Sequence, residues 1–436
     1  MIAETAIESG ERPALIDGPT GQAVTYATLA SRVERVAAGL PGASGPATYW
    51  LWAPNLPPWA GVALGAMAAG GTVTGANPSC TEGELARQLT DSGASVLVTV
   101  PSLLSTALSA AASTDVREVV VLGEAEDATC ILELLAADAP VPNVALDPAT
   151  AVALLPYSSG TTGLPKGVML THDNLVTAVR QVRRGLRVTE RDTLLAVVPF
   201  FHIMGFVVNL AAPLASGATL VTIPRFDLER FLALIQEYHV TVLVGAPPLM
   251  AALARHPMVD TYDPSSLELV VSGGAPLGAD LQRAVADRIP SAAVGQGWGM
   301  TETTVGATMP DREFGTVPGS VGRVMPNTEL RVVDTRTGWD LGAGERGELW
   351  VRGPEVMAGY LNRPDATANI IDAGGWLRTG DLGYVDGNCK VFVDRLKELI
   401  KVSAYQVAPV ELLITHPQVA DAAAWTRRTV KSRSRW

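Results

Sequence analysis

Cysteine is scarce in this chain. The 436 residues include three cysteines, Cys80, Cys130 and Cys389, which lie far apart and form no Cys-x-x-Cys pair. This spacing argues against a disulfide framework and against a zinc knuckle. It is typical of proteins in a reducing compartment, so we expect a cytoplasmic location.

Charge is also sparse, and its balance is negative. Charged residues make up 18% of the chain, hydrophobic residues make up 47%, and the formal net charge is −11. The hydrophobic content predicts a globular protein, and the length is sufficient for two or three domains. The negative charge argues against a general nucleic-acid-binding protein, so we expect no nucleic-acid partner.

Targeting and membrane signals are missing as well. The first eight residues carry two acids and lack the basic segment and apolar core of a secretory signal. The stretch 193–224 contains no charged residue and is long enough to cross a bilayer. Pro199, His202, Asn209 and Pro213 interrupt it, which predicts a buried strand–loop–helix–strand unit and no membrane span.

The order of apolar and amphipathic segments predicts an α/β protein. Up to about residue 315, short apolar runs alternate with amphipathic segments, a pattern typical of parallel sheets covered by helices. The predicted strands are 94–100, 117–122, 151–156, 193–198, 219–223, 240–244, 267–272 and 292–296, and the predicted helices are 227–238 and 276–288. Asp227 is the expected N-cap of the first of these helices.

Beyond residue 315 short strands dominate. Strands predicted at 329–333, 347–352 and 390–393 are separated by glycine-rich turns, which indicates a β-rich subdomain. We therefore expect a large N-terminal domain over 1–394, in which helix-covered parallel sheets (about 1–315) precede the β-rich subdomain (about 316–394).

Two places depart from this rhythm. Residues 39–50 interrupt a predicted helix–turn–strand unit with glycine and proline. Near the end, 410–414 begins an amphipathic helix and 419–424 is strand-like, but the tail 426–436 carries five basic residues and no acid. Such a tail cannot form a core, so residues 395–436 are expected to be an incomplete C-terminal domain.

The most informative segment is 157–167, which reads Tyr-Ser-Ser-Gly-Thr-Thr-Gly-Leu-Pro-Lys-Gly behind a predicted buried strand. Glycines let backbone N–H groups crowd around an anion, hydroxyl groups add donors, and lysine adds positive charge. The segment is not a Walker A loop, because that pattern needs Gly-Lys-Ser/Thr. It is therefore a candidate phosphate loop of another kind.

Five further segments, with this loop, resemble the adenylate-forming superfamily in the correct order. They are Pro-Phe-Phe-His at 199–202, Ser-Gly-Gly-Ala-Pro at 272–276, Gly-Trp-Gly-Met-Thr-Glu at 297–302, Gly-Glu-Leu-Trp-Val-Arg-Gly-Pro at 347–354, and Thr-Gly-Asp at 379–381 followed by Asp-Arg-Leu-Lys-Glu at 394–398. The runs 394–401 and 406–409 indicate the 4-coumarate:CoA ligase and fatty acyl-CoA synthetase branch. The resemblance covers essentially the whole chain.

The resemblance implies a reaction in two halves. A carboxylate attacks the α-phosphorus of ATP and releases pyrophosphate, and a thiol, that of coenzyme A, then displaces AMP from the acyl-adenylate. A carboxylic acid is already ionised at neutral pH, so the obstacle is the repulsion between two anions. The implied partners are thus a small carboxylic acid, ATP and coenzyme A, with Mg²⁺ as a Lewis acid.

The resemblance also implies roles at the phosphates. The phosphate-binding residues would be Ser158, Ser159, Gly160, Thr161, Thr162, Gly163 and Lys166. Thr301 would contact the α-phosphate, and Glu302 would bind Mg²⁺, which accepts one protein carboxylate and keeps several waters.

The rest of the nucleotide is assigned in the same way. Gly274, Ala275 and Pro276 would face the adenine, and Asp381 with Arg395 would hold the ribose hydroxyls. The remaining nucleotide-binding candidates are Gln296, Gly297, Trp298, Gly299 and Met300.

A second pocket would hold the acyl group. By resemblance, His202 lies where the acyl group and the thiol meet, and the lining residues would be Phe201, Phe206, Gly273, Gly297 and Val305. The segment 200–206 contains no acid, whereas amino-acid-activating relatives carry an aspartate there. An amino-acid substrate is therefore disfavoured.

The last implied part is a small mobile α+β domain that acts as a lid. Lys401 and Gln406 match its active-site positions, but Ser403 and Ala404 stand where the family commonly has Lys-Gly, and a late Gly-Lys motif is missing. We therefore expect impaired adenylation and a slower thioester-forming step.

Several alternatives remain open on the sequence. A cinnamate-like ring and a medium or long alkyl chain both suit the predicted acyl pocket. A carrier-protein thiol is an alternative acceptor to coenzyme A, and an inactive ATP-binding remnant is the alternative to an enzyme. The oligomeric state is not readable from the sequence.

Overall fold

Two mixed, mostly parallel sheets form the centre of the molecule. The computed structural model describes residues 1–40, 47–136, 140–158, 165–310, 315–394, 400–402 and 405–407. The first sheet has the strand order β15-β14-β13-β11-β12-β1-β2, parallel except for the β1–β2 pair. Its strands are β1 (Pro13–Asp17), β2 (Ala23–Thr25), β11 (Thr193–Ala196), β12 (Thr219–Thr222), β13 (Val242–Gly245), β14 (Leu269–Ser272) and β15 (Ala293–Gln296).

The second sheet has the order β20-β10-β8-β4-β3-β5-β6-β7, and β9 pairs with β10. The strands from β8 to β7 run parallel, and β10 is antiparallel to β8, β9 and β20. The strands are β3 (Thr48–Trp52), β4 (Thr72–Gly75), β5 (Val96–Thr99), β6 (Glu118–Val121), β7 (Thr129–Cys130), β8 (Val152–Leu154), β9 (Tyr157–Ser158), β10 (Lys166–Thr171) and β20 (Gly359–Tyr360).

Helices cover these sheets. They are α1 (Ile2–Ser9), α2 (Tyr26–Gly39), α3 (Pro57–Ala68), α4 (Glu82–Ser92), α5 (Leu104–Ala111), α6 (Ile131–Leu135), α7 (His172–Leu186), α8 (Ala212–Ala215), α9 (Leu228–Glu237), α10 (Pro247–Arg255), α11 (Ala279–Arg288) and α12 (Pro364–Ile370). A π-helical segment spans Gly205–Ala211, and 3₁₀ turns span Pro101–Leu103, Pro257–Thr261 and Thr301–Thr303.

The two sheets share one hydrophobic core. Successive side chains of a strand point to opposite faces, and both faces of each sheet are buried. In β11, Leu194 packs in the shared core and Leu195 packs in the core on the far side of the first sheet. In β3, Leu51 packs in the shared core, whereas Trp50 and Trp52 pack on the far side of the second sheet. This layering explains why β3 is apolar along nearly its whole length.

An antiparallel sheet follows, with the order β18-β19-β21-β22. Its strands are β18 (Glu329–Val333), β19 (Gly347–Arg352), β21 (Leu377–Val385) and β22 (Val391–Asp394), and a separate antiparallel pair is formed by β16 (Thr308–Met309) and β17 (Arg323–Val324). The structure thus changes from mostly parallel to antiparallel sheet after β15, and its short strands agree with the β-rich region that the sequence predicts beyond about residue 315. The division into domains itself stays a prediction.

Most predicted elements are present with shifted ends. The predicted strands at 329–333 and 347–352 coincide with β18 and β19. Asp227 caps α9, because its Oδ1 accepts a hydrogen bond of 2.9 Å from the N–H of Arg230. The helix predicted at 276–288 begins only at Ala279, because 273–278 form the turn that leaves β14.

The charge-free stretch 193–224 folds as a buried strand, π-helix, short helix and strand. Among the described residues, no helix has both the length and the apolar character needed to cross a membrane.

Near the end, β23 (Ile400–Val402) and β24 (Tyr405–Val407) form a hairpin-like pair. The helix predicted at 410–414 and the strand-like 419–424 lie outside the described residues. In the segment 39–50, where the sequence interrupts a predicted helix–turn–strand unit, α2 ends at Gly39 and β3 begins at Thr48. Residues 41–46 lie outside the described residues.

A buried carboxyl group ties α7 to the chain after β19. Glu355 is fully buried, and it accepts hydrogen bonds from Thr328 Oγ1 at 2.6 Å and from Gln181 Nε2 at 3.2 Å. Burial raises the pKa of Glu355 above its usual 4.5, and the two hydrogen bonds act in the opposite direction. Desolvation is the larger effect, so the Glu355 carboxyl binds its proton more tightly in the folded protein than in the unfolded chain.

We therefore expect Glu355→Gln to remove a pH dependence of stability. A carboxyl whose pKa is raised on folding stabilises fully below its unfolded pKa, and this stabilisation is lost as the pH rises through the folded pKa. Relative to Glu355→Gln, the parent should lose unfolding free energy as the pH rises from about 3.5, below the unfolded pKa, to about 8. The full loss is about 1.4 kcal/mol for each unit by which folding raises the pKa of Glu355. Urea unfolding at both pH values measures this. The exposed Glu126→Gln is the control, and parallel curves for parent and Glu355→Gln would contradict the expectation.

Candidate active site

A cavity of about 190 Å³ opens at the carboxyl ends of β14 and β15. Ligands of open α/β sheets commonly bind at this edge. Seven of the predicted nucleotide-binding residues line it, and they come from the end of β15 and from the two segments that follow these strands: Gly274, Ala275, Pro276, Gln296, Gly297, Trp298 and Gly299. Leu277, Gly278 and Ala279 extend the first segment along the wall. Gly319, Val321 and Val393 form the rest of it, and they were not predicted because they come from the β-rich region.

Gln296 stabilises the turn that carries the first of these segments. Its Oε1 accepts from the N–H of Leu277 and its Nε2 donates to the carbonyl of Leu277, each at 3.0 Å. Both polar ends of the side chain are therefore used within the protein. The predicted contact of Gln296 with a nucleotide stays a prediction.

Gly299 lies where the chain folds back on itself. A Cβ atom at this position would lie 2.4 Å from the Cα of Gly306, a distance too short for real Cβ atoms. Next to this contact, Thr304 and Val305 adopt φ values of 46° and 103°. A positive φ is unfavourable for a β-branched residue, so the turn 299–306 is held in a strained conformation by its surroundings.

Asp381 connects to the cavity wall through Trp298. Trp298 Nε1 donates to Asp381 Oδ2 at 2.9 Å, and the N–H of Asp381 donates to Thr379 Oγ1 at 3.1 Å. The hydrogen bond fixes the indole and the carboxylate relative to each other. The proposed partner of Asp381, Arg395, lies outside the described residues.

The candidate phosphate loop connects the strands of a hairpin. In the β9–β10 pair, Ser158 lies opposite Lys166. Ser158 is buried, and its Oγ has no hydrogen-bond partner among the described residues. β9 also lies against the 3₁₀ turn that carries Thr301 and Glu302. The other loop candidates, Ser159, Gly160, Thr161, Thr162 and Gly163, lie outside the described residues.

Lys166 and Glu302 both contact Tyr360, a residue that was not predicted from the sequence. The Lys166 ammonium lies 4.4 Å from the centre of the Tyr360 ring, and Tyr360 Oη donates to Glu302 Oε1 at 2.6 Å. Burial, and then the nearby Glu302 carboxylate, raise the pKa of Tyr360. The phenol therefore stays protonated and acts as the donor. No recognised motif contains Tyr360, and the nearest one, 347–354, ends before it.

Segment 355–360 holds the turn after Thr301 at two further points. The N–H of Met357 donates to the Glu302 carbonyl at 2.9 Å, and Thr304 Oγ1 donates to the Glu355 carbonyl at 2.6 Å. Glu302 is thus bound through both its backbone and its side chain. Only 7% of the residue is exposed.

His202 lies at the entrance to the π-helical segment. Its Nδ1 accepts from the N–H of Met204 at 3.2 Å, and its carbonyl accepts from the N–H of Phe206 at 2.9 Å. Solvent reaches part of the ring, yet the surrounding protein desolvates the imidazole and lowers the pKa of His202 below the usual 6.5. The neutral ring, protonated at Nε2, therefore predominates at neutral pH.

The predicted acyl-pocket residues come from different layers. A Cβ on Gly75, at the end of β4, would lie 3.1 Å from the Cβ of Phe201, and a Cβ on Gly273 would lie 2.8 Å from Met204 Sδ. The segment around His202 therefore reaches the second sheet on one side and the wall of the cavity on the other.

Phe206 and Val305 both pack on the shared core. Phe206 is 3% exposed, and its ring centre lies 5.9 Å from that of Trp59. Val305 is partly buried against the same core, and it lies one residue beyond Thr304. Their contribution to a substrate pocket stays a prediction.

Asn55 is a positioning residue that the sequence did not reveal. It lies between β3 and α3, and its Nδ2 donates to the carbonyls of Ala196 and Val198 at 3.0 and 2.9 Å. Its Oδ1 accepts from the N–H of Phe200 at 2.8 Å. One buried amide thus fixes the loop that leads to His202.

The remaining candidates are placed only in part. Met300 is bound to Thr303, whose Oγ1 accepts from the N–H of Met300 at 3.0 Å. Lys401 and Gln406 lie opposite each other in the β23–β24 pair, and their side chains lie outside the description.

The residue set fits Mg²⁺ better than a metal held wholly by protein ligands. Among the described residues, no group of three His, Cys, Asp or Glu side chains converges. Glu302 offers a hard carboxylate whose Oε1 accepts from Tyr360, and none of the hydrogen bonds within the described part of the chain reaches Oε2. A single carboxylate oxygen suits Mg²⁺, which keeps several waters.

Comparison with known proteins gives one family. The profile of the AMP-binding enzyme family matches residues 2–361. The chain is 42% identical to 4-coumarate–CoA ligase 3 of Oryza sativa subsp. japonica over 430 residues, which are 95% of this chain and 77% of that protein. It is 41% identical to 4-coumarate–CoA ligase 2 of Nicotiana tabacum over 436 residues, which are 96% of this chain and 80% of that protein.

Solved structures of similar fold include other ligases. The anthranilate CoA ligase AuaEII in complex with anthranoyl-AMP superimposes with a TM-score of 0.87 at 26% identity, over 96% of this chain and 83% of that chain. A long-chain-fatty-acid-CoA ligase from Archaeoglobus fulgidus gives 0.82 at 26% identity, over 98% and 88%. The α/β fold predicted from the sequence is confirmed.

The close approach at Gly299 predicts the effect of a single methyl group. Gly299→Ala should lower the unfolding free energy by about 1–3 kcal/mol, because the backbone at Gly306 must move to admit the Cβ. Gly83→Ala is the matched control. A Cβ at Gly83 meets nothing within 4 Å, and this position in α4 should gain about 0.4–1 kcal/mol. Denaturant unfolding of both variants measures the difference, and equal effects would refute the packing argument.

Proposed function

Because the chain belongs to the AMP-binding enzyme family, we propose that it is an ATP-dependent acid–CoA ligase that acts on a 4-coumarate- or cinnamate-like acid. The observation that carries this proposal is the identity of about 40% with proteins named 4-coumarate–CoA ligases over nearly the whole chain. The anthranilate ligase of similar fold is also named for an aromatic acid. Both ligases of known structure are less similar in sequence than the 4-coumarate–CoA ligases, at 26% identity each, so the substrate proposal depends on the latter.

The first half-reaction would take place beside Lys166 and Glu302. A carboxylate oxygen of the acid bonds to the α-phosphorus of ATP, the bond from that phosphorus to the bridging oxygen breaks, and pyrophosphate leaves. Lys166 and the hairpin loop would supply positive charge and donors to the departing phosphates. Glu302 would hold Mg²⁺, which when bound supplies further positive charge at the phosphate oxygens.

The cavity at the ends of β14 and β15 would hold the adenosine part. Its walls at 274–276 and 297–299 are mostly backbone and small side chains, which allow a planar base to approach closely. Asp381 would bind the ribose hydroxyls, since a carboxylate accepts two hydrogen bonds at once. The hydrogen bond from Trp298 would keep that carboxylate directed toward the cavity.

The second half-reaction would take place near His202. The sulfur of coenzyme A, as the thiolate after its proton is released to water, bonds to the acyl carbon, the bond from that carbon to the phosphate oxygen breaks, and AMP leaves with the electron pair. The neutral His202 ring, oriented by its hydrogen bond from Met204, would separate the acyl site from the thiol path. Lys401 and Gln406 would contribute from the small domain.

A cytoplasmic location is part of the proposal. It is supported by the three cysteines, which are free thiols far apart in the sequence.

A panel of acids tests the substrate. Hydroxycinnamic, benzoic and straight-chain acids are compared at equal concentration by pyrophosphate release, and acyl-CoA formation is followed separately with coenzyme A or a phosphopantetheinyl carrier protein. We expect hydroxycinnamic acids and free coenzyme A to give the highest kcat/KM. Faster turnover of alkyl acids would replace the proposed substrate class, and ATP binding without acid-dependent release would indicate an inactive binding protein.

Two substitutions test the charge argument. Lys166→Ala and Glu302→Ala should each lower the rate of acyl-adenylate formation by about 10²–10³-fold, a typical loss for one group that stabilises transition-state charge. Trapping of the adenylate with hydroxylamine measures this step without coenzyme A. Glu126→Ala is the control, because Glu126 is exposed and belongs to no predicted site. Folded Lys166→Ala or Glu302→Ala variants with the parental rate would contradict the assignment.

A further inference from the structure

Tyr360 is the residue that joins the two charged groups of the proposed phosphate site. It lies in β20, where it is paired with Val168 of β10. Lys166 is two residues before Val168 on the same strand, and residues two apart share a face of a sheet. This register brings the Lys166 ammonium over the Tyr360 ring, 4.4 Å from its centre.

The other end of the same side chain contacts Glu302. The Oη–Oε1 distance of 2.6 Å lies in the short range of hydrogen bonds from a hydroxyl to a carboxylate. Both residues are nearly buried, with 6% of Tyr360 and 7% of Glu302 exposed. A charge-assisted hydrogen bond removed from water is strong and directional, so it sets the orientation of the carboxylate.

Tyr360 is itself held rigidly. Its N–H donates to Thr367 Oγ1 at 2.9 Å, so α12 fixes the end of β20. The N–H of Met357, three residues earlier, donates to the Glu302 carbonyl. The ring therefore has a fixed place from which to position both charged groups.

We propose that Tyr360 is a positioning residue that orients the Glu302 carboxylate for a divalent cation through its hydroxyl and holds the Lys166 ammonium at the phosphates through its ring. The assignment of cation and phosphates rests on the proposed function. The hydroxyl occupies Oε1 and directs Oε2 of the carboxylate to the cation. Removing a residue that hydrogen-bonds to a metal ligand typically weakens metal binding by about 10–100-fold.

The two roles of the side chain are separable by substitution. Tyr360→Phe keeps the ring and removes the hydroxyl. Tyr360→Leu removes both. Tyr238→Phe is the matched control, because the Tyr238 hydroxyl also interacts with a carboxylate, that of Glu237. This pair is distant in the sequence from Tyr360 and belongs to no predicted site.

Binding measurements distinguish a positioning role from a structural one. Mn²⁺ replaces Mg²⁺, and its binding with saturating ATP is titrated by electron paramagnetic resonance, while ATP binding in the presence of a chelator is measured by calorimetry. For Tyr360→Phe we expect about 10-fold weaker Mn²⁺ binding and unchanged metal-free ATP binding. For Tyr360→Leu we expect weaker metal-free ATP binding as well, by several-fold, because the cation–π contact is lost.

A double variant tests whether the hydroxyl acts through Glu302. Residues that act as one unit are not additive, so Tyr360→Phe in a Glu302→Gln background should weaken Mn²⁺ binding no further than Glu302→Gln alone. Parental Mn²⁺ affinity in Tyr360→Phe, or additive losses in the double variant, would overturn the proposal.

The same data separate this inference from the proposed function. A parent protein that binds Mn²⁺ and ATP, shows the Tyr360→Phe effect, yet releases no pyrophosphate with any acid would contradict the ligase function and leave the role of Tyr360 intact. A parent that is active while Tyr360→Phe binds Mn²⁺ normally would contradict the role of Tyr360 alone. A parent that binds neither Mn²⁺ nor ATP would contradict both.

Discussion

The contact between segment 355–360 and the turn at 302–304 is the link on which the proposed site depends. Three hydrogen bonds make it: Met357 to the Glu302 carbonyl, Tyr360 to the Glu302 carboxylate, and Thr304 to the Glu355 carbonyl. The turn follows β15 of the first sheet, whereas β20 belongs to the second. These bonds therefore fix the relative position of elements from both sheets, and buried hydrogen bonds are costly to break.

This contact between segment 355–360 and the turn at 302–304 matters because it places the charged groups of Lys166 and Glu302 next to one side chain, Tyr360. An acid and a triphosphate repel each other, so a protein that joins them must keep cations and donors in place before they bind. Lys166 lies on an aromatic face and Glu302 accepts from a phenol, so both groups are oriented by one side chain. The cavity beside Gln296 and Gly299 is similarly preorganised. Gln296 binds the backbone of Leu277 in the turn after β14, and Gly299 packs on the backbone of Gly306 in the turn after β15.

Much of the site was predictable because its residues lie in short contiguous motifs. Gly274, Ala275 and Pro276 follow one strand, and 297–299 follow the next, so the edge of a parallel sheet brings them together. Tyr360 and Asn55 were not predicted. Each acts through a partner more than 50 positions away in the chain, and no local pattern distinguishes such a tyrosine or asparagine from an ordinary core residue.

The sequence by itself determined the class of fold and the family, because alternating apolar runs and ordered motifs are properties of contiguous residues. It also indicated the helix cap at Asp227 and the strands β18 and β19, whose ends are set by local chemistry. The tertiary structure alone decided that α11 begins at Ala279, that Trp298 pairs with Asp381, and that Lys166 and Glu302 meet on Tyr360. Those contacts depend on how sheets and turns pack, and packing brings together residues whose separation in sequence carries no signal of their distance in space.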